Sequence, residues 1–454
     1  MAYVSSGLEI RDPVHGFIYR EPHEQEIVDC ATFQRLRRLK QLALANLVYP
    51  GANHTRFDHS LGAFHVAGRL AQRLELDANE TRLVRIAALL HDIGHAPFSH
   101  VSEPILRKHS GDKIALKPKQ QVHELISAQI IREDEKLSGL ILENDRQRIV
   151  RILEGDYGYS LLKDIVSGPI DADKQDYLLR DSYFCGVRYG LFDIERLINS
   201  LVVHDDGEDR FLAIGRDGIH VVEQFVLAKY YMTTQVYRHR IRLITDEMIG
   251  RAISLGIERD GIRWLKDIYS YDGSIEFINE YLTWTDDRLT VKILEESPDT
   301  YVYQIFQRLA QRKLLKCILD VTAKEFEDAK SKMLVFADDD NFQGELEQKI
   351  AERWRFDRNL VICNRVKFKS AVKTESEVSV LHPGTPRLFR EESTLFSSVN
   401  QAIQEERLQV YAPAEYTDER DKKRQAREFY TEILAMITVI ANQPAPAIAP
   451  GGEQ

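Results

Sequence analysis

Over residues 24 to about 330, apolar positions recur mostly three and four apart, which predicts a helical core. In LVRIAALL the residues Leu83, Ile86, Ala87 and Leu90 share one face. The stretch HSLGAFHVAGRLAQRL sets Gly62, Ala63, Ala67, Gly68 and Ala71 along one helix, small residues that leave room for a second helix to approach closely. DRFLAIGRDGIHVV reads differently, because two short apolar runs flank Arg216, Asp217 and Gly218, a turn signal that predicts a hairpin there. Past about residue 332, strand-like NLVICNRVKF, EVSVLHP and LQVYAP alternate with helical FQGELEQKIAERW and KRQAREFYTEILAMI. The expected fold class is mainly α, a helical core with a small β-hairpin followed by a smaller C-terminal α/β lobe. The boundaries are read as 1–250 for the core, 251–331 for a helical extension of it, 332–440 for the lobe and 441–454 for a disordered tail, NQPAPAIAPGGEQ being rich in Pro, Ala and Gly without periodicity.

Composition changes this picture little. A chain of 454 residues with 43% hydrophobic and 29% charged positions is ordinary for a globular protein. The net charge of −10 argues against a surface that coats nucleic acid, which needs clustered Lys and Arg. Cys30, Cys185, Cys317 and Cys363 stand far apart with no paired spacing, which fits reduced thiols rather than a disulfide framework or a cysteine zinc site. MAYVSSGLEIRDPVHG lacks a signal-peptide pattern and no apolar run approaches a membrane span, so a cytoplasmic protein is expected.

The chemistry concentrates in LLHDIGHAPFSH. A His-Asp dipeptide alone is weak evidence, since His204-Asp205 is a second copy in an acidic turn. Here, however, Pro97 disfavours helical geometry at Ala96, so the preceding helix should end near Gly94 or His95, with His91 and Asp92 in its last turn. Imidazole and carboxylate are good ligands for a divalent metal. His91, Asp92, His95 and His100 beside one apolar run therefore weigh toward a metal site rather than ordinary capping histidines. GANHTRFDHSLG adds His54 and His59 around Arg56. GPIDADKQDYLLRDSYFCG adds a helix on which Asp173, Asp176, Tyr177 and Arg180 form one polar stripe, with a solvated face as the alternative. An EF-hand is excluded, because counting from Asp171 the turn glycine position holds Asp176 and the bidentate glutamate position holds Ser182. A peptidase of the H-E-x-x-H type is disfavoured, because Asp92 replaces the glutamate base and Gly94 weakens the helix.

DPVHG, FQRLRRLKQL, YPGANHTRFDHSLG, LLHDIGHAPFSH, His123-Glu124 and DADKQDYLLRD occur in an order that resembles the HD-domain deoxynucleoside triphosphate triphosphohydrolases, over roughly residues 8 to 245. This family contains the bacterial dGTPases and the vertebrate sterile-alpha-motif and HD-domain enzyme, and the chain is similar to its prokaryotic members in having no sterile-alpha-motif region ahead of the core. The resemblance implies metal ligation by His59, His91, Asp92 and Asp173. It implies cleavage of a dNTP between the α-phosphorus and the 5′ oxygen, giving deoxynucleoside and triphosphate. It places Arg56 and Lys174 on the phosphates, His95 and His100 facing them, and Asp181, Tyr177, Gln41 and Leu42 around the sugar. Tyr237 and His239 match a Tyr-x-His segment of the same pocket, although Arg238 stands where the vertebrate enzyme has Gln. His100 is the candidate acid for the leaving oxygen, with His123, oriented by Glu124, as its competitor.

The resemblance also implies a regulatory nucleotide site between subunits, where Asp29, Gln34 and Arg37 would read guanine, and hence a dGTP or GTP activator and a homo-oligomer, dimer or tetramer. The same residues also read as part of an amphipathic basic helix. His and Asp ligation admits Fe, Mn, Zn, Co or Ni, with Mg accompanying the phosphates. The alternatives are an HD phosphohydrolase acting on a nucleoside monophosphate, cyclic nucleotide or oligonucleotide, and a nucleotide sensor or nucleic-acid binder using Arg35, Arg37, Arg38 and Lys40. No membrane partner is expected.

Overall fold

The structure is a computed structural model that describes residues 8–111, 114–117, 120–156, 158–326, 329–336, 340–367, 377–382, 386–399 and 406–442. The fold is mainly helical, as the spacing predicts, and divides into two compact units: 1–310 with 370–402, and 311–369 with 403–454. Among the described residues no helix is long and apolar enough to cross a membrane.

In the first unit the Arg56–Arg73 helix packs against the Ala78–Leu90 and Ala172–Cys185 helices. Thr55 and Asp58 start it with a reciprocal capping box. Its small residues do admit a close approach, but what enters is charged. A Cβ on Gly62 would fall 1.8 Å from Asp176 Oδ1, and one on Gly68 would fall 2.6 Å from Arg85 Nη1.

The Ala78–Leu90 helix ends at His91, about a turn earlier than Pro97 predicts. Gly94 is the reason. A Cβ there would lie 2.4 Å from both His123 O and Ser127 N, and its N–H donates to Ser127 Oγ at 2.9 Å, so the chain is pulled onto the Val122–Glu133 helix. Farther on, Phe98 and Ser99 both adopt left-handed φ, 60° and 54°. Such strain costs on the order of 1–3 kcal/mol per residue and needs external restraint. Asp286 Oδ1 accepts from Phe98 N at 2.8 Å, and Ser99 Oγ accepts from Arg56 Nε at 2.7 Å.

The hairpin forms one turn earlier in the sequence than expected. Strands β1 (Leu8–Asp12) and β2 (Gly16–Arg20) pair antiparallel, as do β3 (Leu201–Asp205) and β4 (Arg210–Gly215). The second turn is the acidic segment after His204, where Asp206 Oδ1 accepts from Glu208 N and Asp209 N, both at 2.9 Å, and Gly207 takes φ 90°. Arg216–Gly218 is instead a short 3-10 turn leading into the Ile219–Met232 helix, whose apolar residues follow helical spacing.

In the second unit, β5 (Lys316–Thr322), β6 (Ile362–Lys367) and β9 (Glu406–Ala412) form an antiparallel sheet in the order β5-β9-β6. The Asp340–Trp354 and Glu419–Ala441 helices supply Leu346, Ile350, Phe429 and Ile433 to its core. The α/β lobe thus exists but with other limits than 332–440. It begins at Gln311, because β5 pairs with β9. Residues 370–402 belong to the first unit, because β7 (Ser379–Leu381) runs parallel to β4 and pairs with β8 (Arg387–Leu388). Of the expected tail, residues 443–454 lie outside the described residues.

Gly62→Ala should lower stability in urea by about 2–3 kcal/mol or more, because the added methyl meets Asp176 and Arg180. Gly250→Ala, in the Arg240–Glu258 helix with nothing within 4 Å, should instead raise it by about 0.5–1 kcal/mol. Equal effects would contradict this packing.

Candidate metal centre and active site

Three segments bring their donors together. His59 sits one turn into the Arg56–Arg73 helix, His91 caps the Ala78–Leu90 helix, and Asp173 lies in the first turn of the Ala172–Cys185 helix. Their ligand atoms all lie within 4.8 Å of one another. Asp92 faces the same space, with Oδ1 3.3 Å from His91 Nε2 and Oδ2 3.8 Å from His59 Nε2. Both imidazoles are oriented from behind: His59 Nδ1 pairs with Asp176 Oδ2 at 2.8 Å, and His91 Nδ1 with Ala88 O at 2.8 Å. Their buried Nε2 atoms face the carboxylates, His59 at 3.0 Å from Asp173 Oδ1 and His91 at 3.7 Å from the same oxygen. Two fixed imidazole nitrogens facing two carboxylates suit a divalent transition metal.

The electrostatics agree. Burial pulls His59 down, but Asp173 and Asp176 beside it raise it to about 10. Burial would raise Asp173, but His59 and His91 hold it well below the usual carboxylate range. Burial likewise opposes the charge on Asp92, which Arg56, His91 and His95 keep ionised. Asp92 and Asp173 thus stay ionised, and the imidazoles bind protons tightly beside them, a place that a divalent cation can take instead.

Asp176 is the hub behind it. Arg180 grips this buried carboxylate with Nε and Nη2, both at 2.9 Å, and reaches Asp12 with Nη1 at 2.8 Å. His15 Nε2 is 2.7 Å from Asp176 Oδ1. Asp12 Oδ1 in turn accepts from Val14 N and His15 N at 2.8 Å, which shapes the DPVHG turn. The polar stripe on the Ala172–Cys185 helix is thus an inward-facing network, not a solvated face.

His91, Asp92 and Asp173 open into a cavity of about 890 Å³, lined also by Arg56, His95, His100, His123 and Tyr177. Arg56 donates to Ser99 and to Asp92, and its Nη2 has no partner among the described residues. His95 stacks on His123 with ring centres 3.9 Å apart, and burial, Arg56 and His123 all push it down. Although His100 presents an exposed edge to the cavity, the crowding around it together with Arg56 and His123 pushes it down to about 3.

Several expected roles change. His123 Nδ1 is held by Glu103 Oε2 at 2.9 Å, not by Glu124, whose carboxylate accepts from Gln121 N at 3.2 Å in a capping box although it also lines the cavity. Lys174 does not line the cavity, because its Nζ donates to Asp171 Oδ2 at 2.6 Å and Gly168 O at 2.8 Å. Asp181 is also withdrawn, with Oδ1 2.7 Å from His54 Nε2 and Oδ2 accepting from Tyr237 OH at 2.7 Å. A π-helical turn, Thr233–Tyr237, places that tyrosine, whose ring centre is 6.1 Å from that of Tyr177. His239 caps the next helix by accepting from Ile241 N. Gln41 lines the cavity and Leu42 is buried beside it in sequence.

The basic segment is not one helix but a short helix, Ala31–Gln34, followed by a 3-10 turn. Arg35 points inward, donating to Trp284 O and His95 O at 2.9 Å. Arg37 donates to Gln34 Oε1 at 2.8 Å and lies 3.5 Å over the Phe57 ring, while Asp29 accepts from Gln25. Arg35, Glu103 and Asp286 carry no local sequence signal for these roles. The Asp12-Pro-x-His15 turn did carry one.

The chain matches the HD domain over residues 56–181 and the HD associated region over residues 192–431. An uncharacterized protein of Methanocaldococcus jannaschii is 35% identical over 297 residues, covering 65% of this chain and 60% of that one. The deoxynucleoside triphosphate triphosphohydrolase SAMHD1 of Homo sapiens is 30% identical over 344 residues, covering 68% and 54%. The crystal structure of a phosphohydrolase from Bacteroides thetaiotaomicron superposes with a TM-score of 0.71 at 25% identity, covering 89% of this chain and 99% of that chain. The chain spans between half and three-fifths of the length of the curated relatives it matches.

Asp176→Asn should weaken binding of a divalent metal by about 10–100-fold in equilibrium dialysis, as loss of an orienting carboxylate does. Glu124→Gln should leave it unchanged. Wild-type affinity in Asp176→Asn would remove Asp176 from the site.

Proposed function

The chain belongs to the HD-domain family and carries its associated region, and on that premise we propose that it is a metal-dependent dNTP triphosphohydrolase. The observation that carries the reading is the pairing of the His59, His91, Asp92 and Asp173 donors with a cavity wall of Arg56, His95, His100 and His123. The similarity to a deoxynucleoside triphosphate triphosphohydrolase supports the substrate class.

A divalent ion, Fe, Mn, Zn, Co or Ni, held by those four side chains would supply an activated water and charge neutralisation. Arg56, fixed by Ser99 and Asp92, presents its free Nη2 to the phosphates. Water attacks the α-phosphorus, the bond to O5′ breaks, and a proton passes to O5′. His100 supplies it, its depressed basicity being raised by the phosphates' negative charge. His123, held by Glu103, is the second donor. With Lys174 tied to Asp171, Lys163 and Lys117 on the cavity wall take over phosphate charge, Lys117 leaving its exposed pairs with Glu154 and Asp156, with Mg as counterion. Gln41, Tyr177 and Tyr237 bound the sugar, and Asp181 acts there through Tyr237. Activation by dGTP or GTP at Asp29, Gln34 and Arg37 of an oligomer completes the reading.

One observation favours a second reading. Lys174 and Asp181, which distinguish a triphosphate on a deoxyribose, are turned to their own chain, as suits an HD phosphohydrolase acting on another nucleotide.

Product analysis separates the two. With Mn²⁺ and each dNTP, with and without GTP, deoxynucleoside plus inorganic triphosphate is expected, and His91→Ala should abolish it. His100→Asn should lower kcat by about 10²–10⁴-fold. Release of orthophosphate or monophosphate would support the second reading, and full activity in His91→Ala would overturn the site.

A further inference from the structure

A second cavity, of about 660 Å³, lies between the β2–Pro22 segment and the two helices Arg56–Arg73 and Ala78–Leu90. It shares no lining residue with the first. Arg20, His23, His65, Arg69, Arg82 and Arg85 line it, against Glu21, Glu24 and Glu75. The pairing among these groups is uneven. Arg85 takes Glu24 in a two-pronged bond, at 2.7 Å on each oxygen, and Arg82 takes Asp145 at 2.6 Å. Glu24 also accepts from Glu21 N.

Arg20 is left over. It is only 5% exposed, forms no ion pair among the described residues, and its Nε has no hydrogen-bond partner. Asp29, which faces it through space, is engaged by Gln25. The Nε2 of His23 is likewise buried without a partner. Burial first, and then the charges of His15, Arg69 and Arg85, push the His65 imidazole down to about 3, as a cation-rich wall does. A buried guanidinium whose neighbouring carboxylates, Asp29 and Glu24, are engaged by Gln25 and Arg85 is costly to keep, and its fork matches the oxygens of a phosphate.

We propose that this cleft is a second binding site, specific for a small phosphorylated molecule. Arg20 grips the phosphate, His23 and Arg69 complete its hydrogen bonding, and the organic body lies against Leu76 and Tyr19. Arg69 is free to turn inward, because its bond to Glu195 is an exposed pair of little strength. The site stands apart from the proposed reaction and does not depend on it.

Isothermal titration of the full chain with inorganic phosphate, and with pyrophosphate, tests this. Binding is expected for the wild type with a dissociation constant of about 1 mM or tighter. Arg20→Gln should weaken it at least tenfold, and Arg56→Gln, which alters only the other cavity, should retain it. Should Arg20→Gln fail to fold, His23→Gln carries the same comparison. No binding of either probe to the wild type, or a loss in Arg56→Gln as large as in the cleft variants, would overturn the proposal.

Discussion

A single buried carboxylate, Asp176, holds the architecture of the site together. It accepts the fork of Arg180, the ring of His15 and the Nδ1 proton of His59, all at 2.7–2.9 Å, in a place where solvent does not reach. Burial alone would drive such a group toward neutrality, yet Arg180 and His15 keep it charged well below the usual carboxylate range. Breaking a pair of this kind costs about 3–5 kcal/mol, since the partner is left uncompensated. Gly62 lacks a side chain because this carboxylate occupies the space. The DPVHG turn is docked because His15 and, through Arg180, Asp12 complete the same network. One constraint therefore fixes a helix pair, the amino-terminal turn and the direction in which His59 presents its Nε2.

A second set of bonds holds the loop that carries His91, Asp92, His95 and His100. Arg35 donates to His95 O, Tyr281 OH donates to Gly94 O at 2.8 Å, and Asp286 receives Phe98 N and Lys40 N at 2.8 Å each. The strained Phe98–Ser99 step persists because Asp286 restrains Phe98 and Arg56 restrains Ser99. Two of the loop's partners, Tyr281 and Asp286, lie far along the chain. What reads as a compact motif is thus rigid only in the company of the helical region that follows.

This explains what was legible in the sequence. Helical periodicity and the small-residue helix could be read because both follow from local spacing. Three short segments crowded with metal-binding residue types point to a metal site, and the family resemblance selects His59, His91, Asp92 and Asp173 among them. The roles of Glu103, Arg35 and Asp286 were not legible, since nothing near them in sequence distinguishes a buried clamp from a surface charge. The resemblance implies Lys174 on the phosphates and Asp181 at the sugar, whereas in the structure Asp171 holds the one and His54 and Tyr237 hold the other. Spacing alone does not place the hairpin, because Arg216–Gly218 and Asp206–Asp209 are both turn-forming, and only the pairing of β3 with β4 selects between them.

The central claim is that this buried network presents two imidazoles and two carboxylates to one divalent ion. X-ray absorption at the metal edge of the loaded full-length chain tests it most directly. The account predicts imidazole scattering equivalent to two histidine nitrogens at about 2.0–2.2 Å, together with carboxylate oxygens, and a loss of half that imidazole signal in His59→Ala. A metal surrounded by oxygen alone, or a spectrum unchanged in His59→Ala, would contradict it.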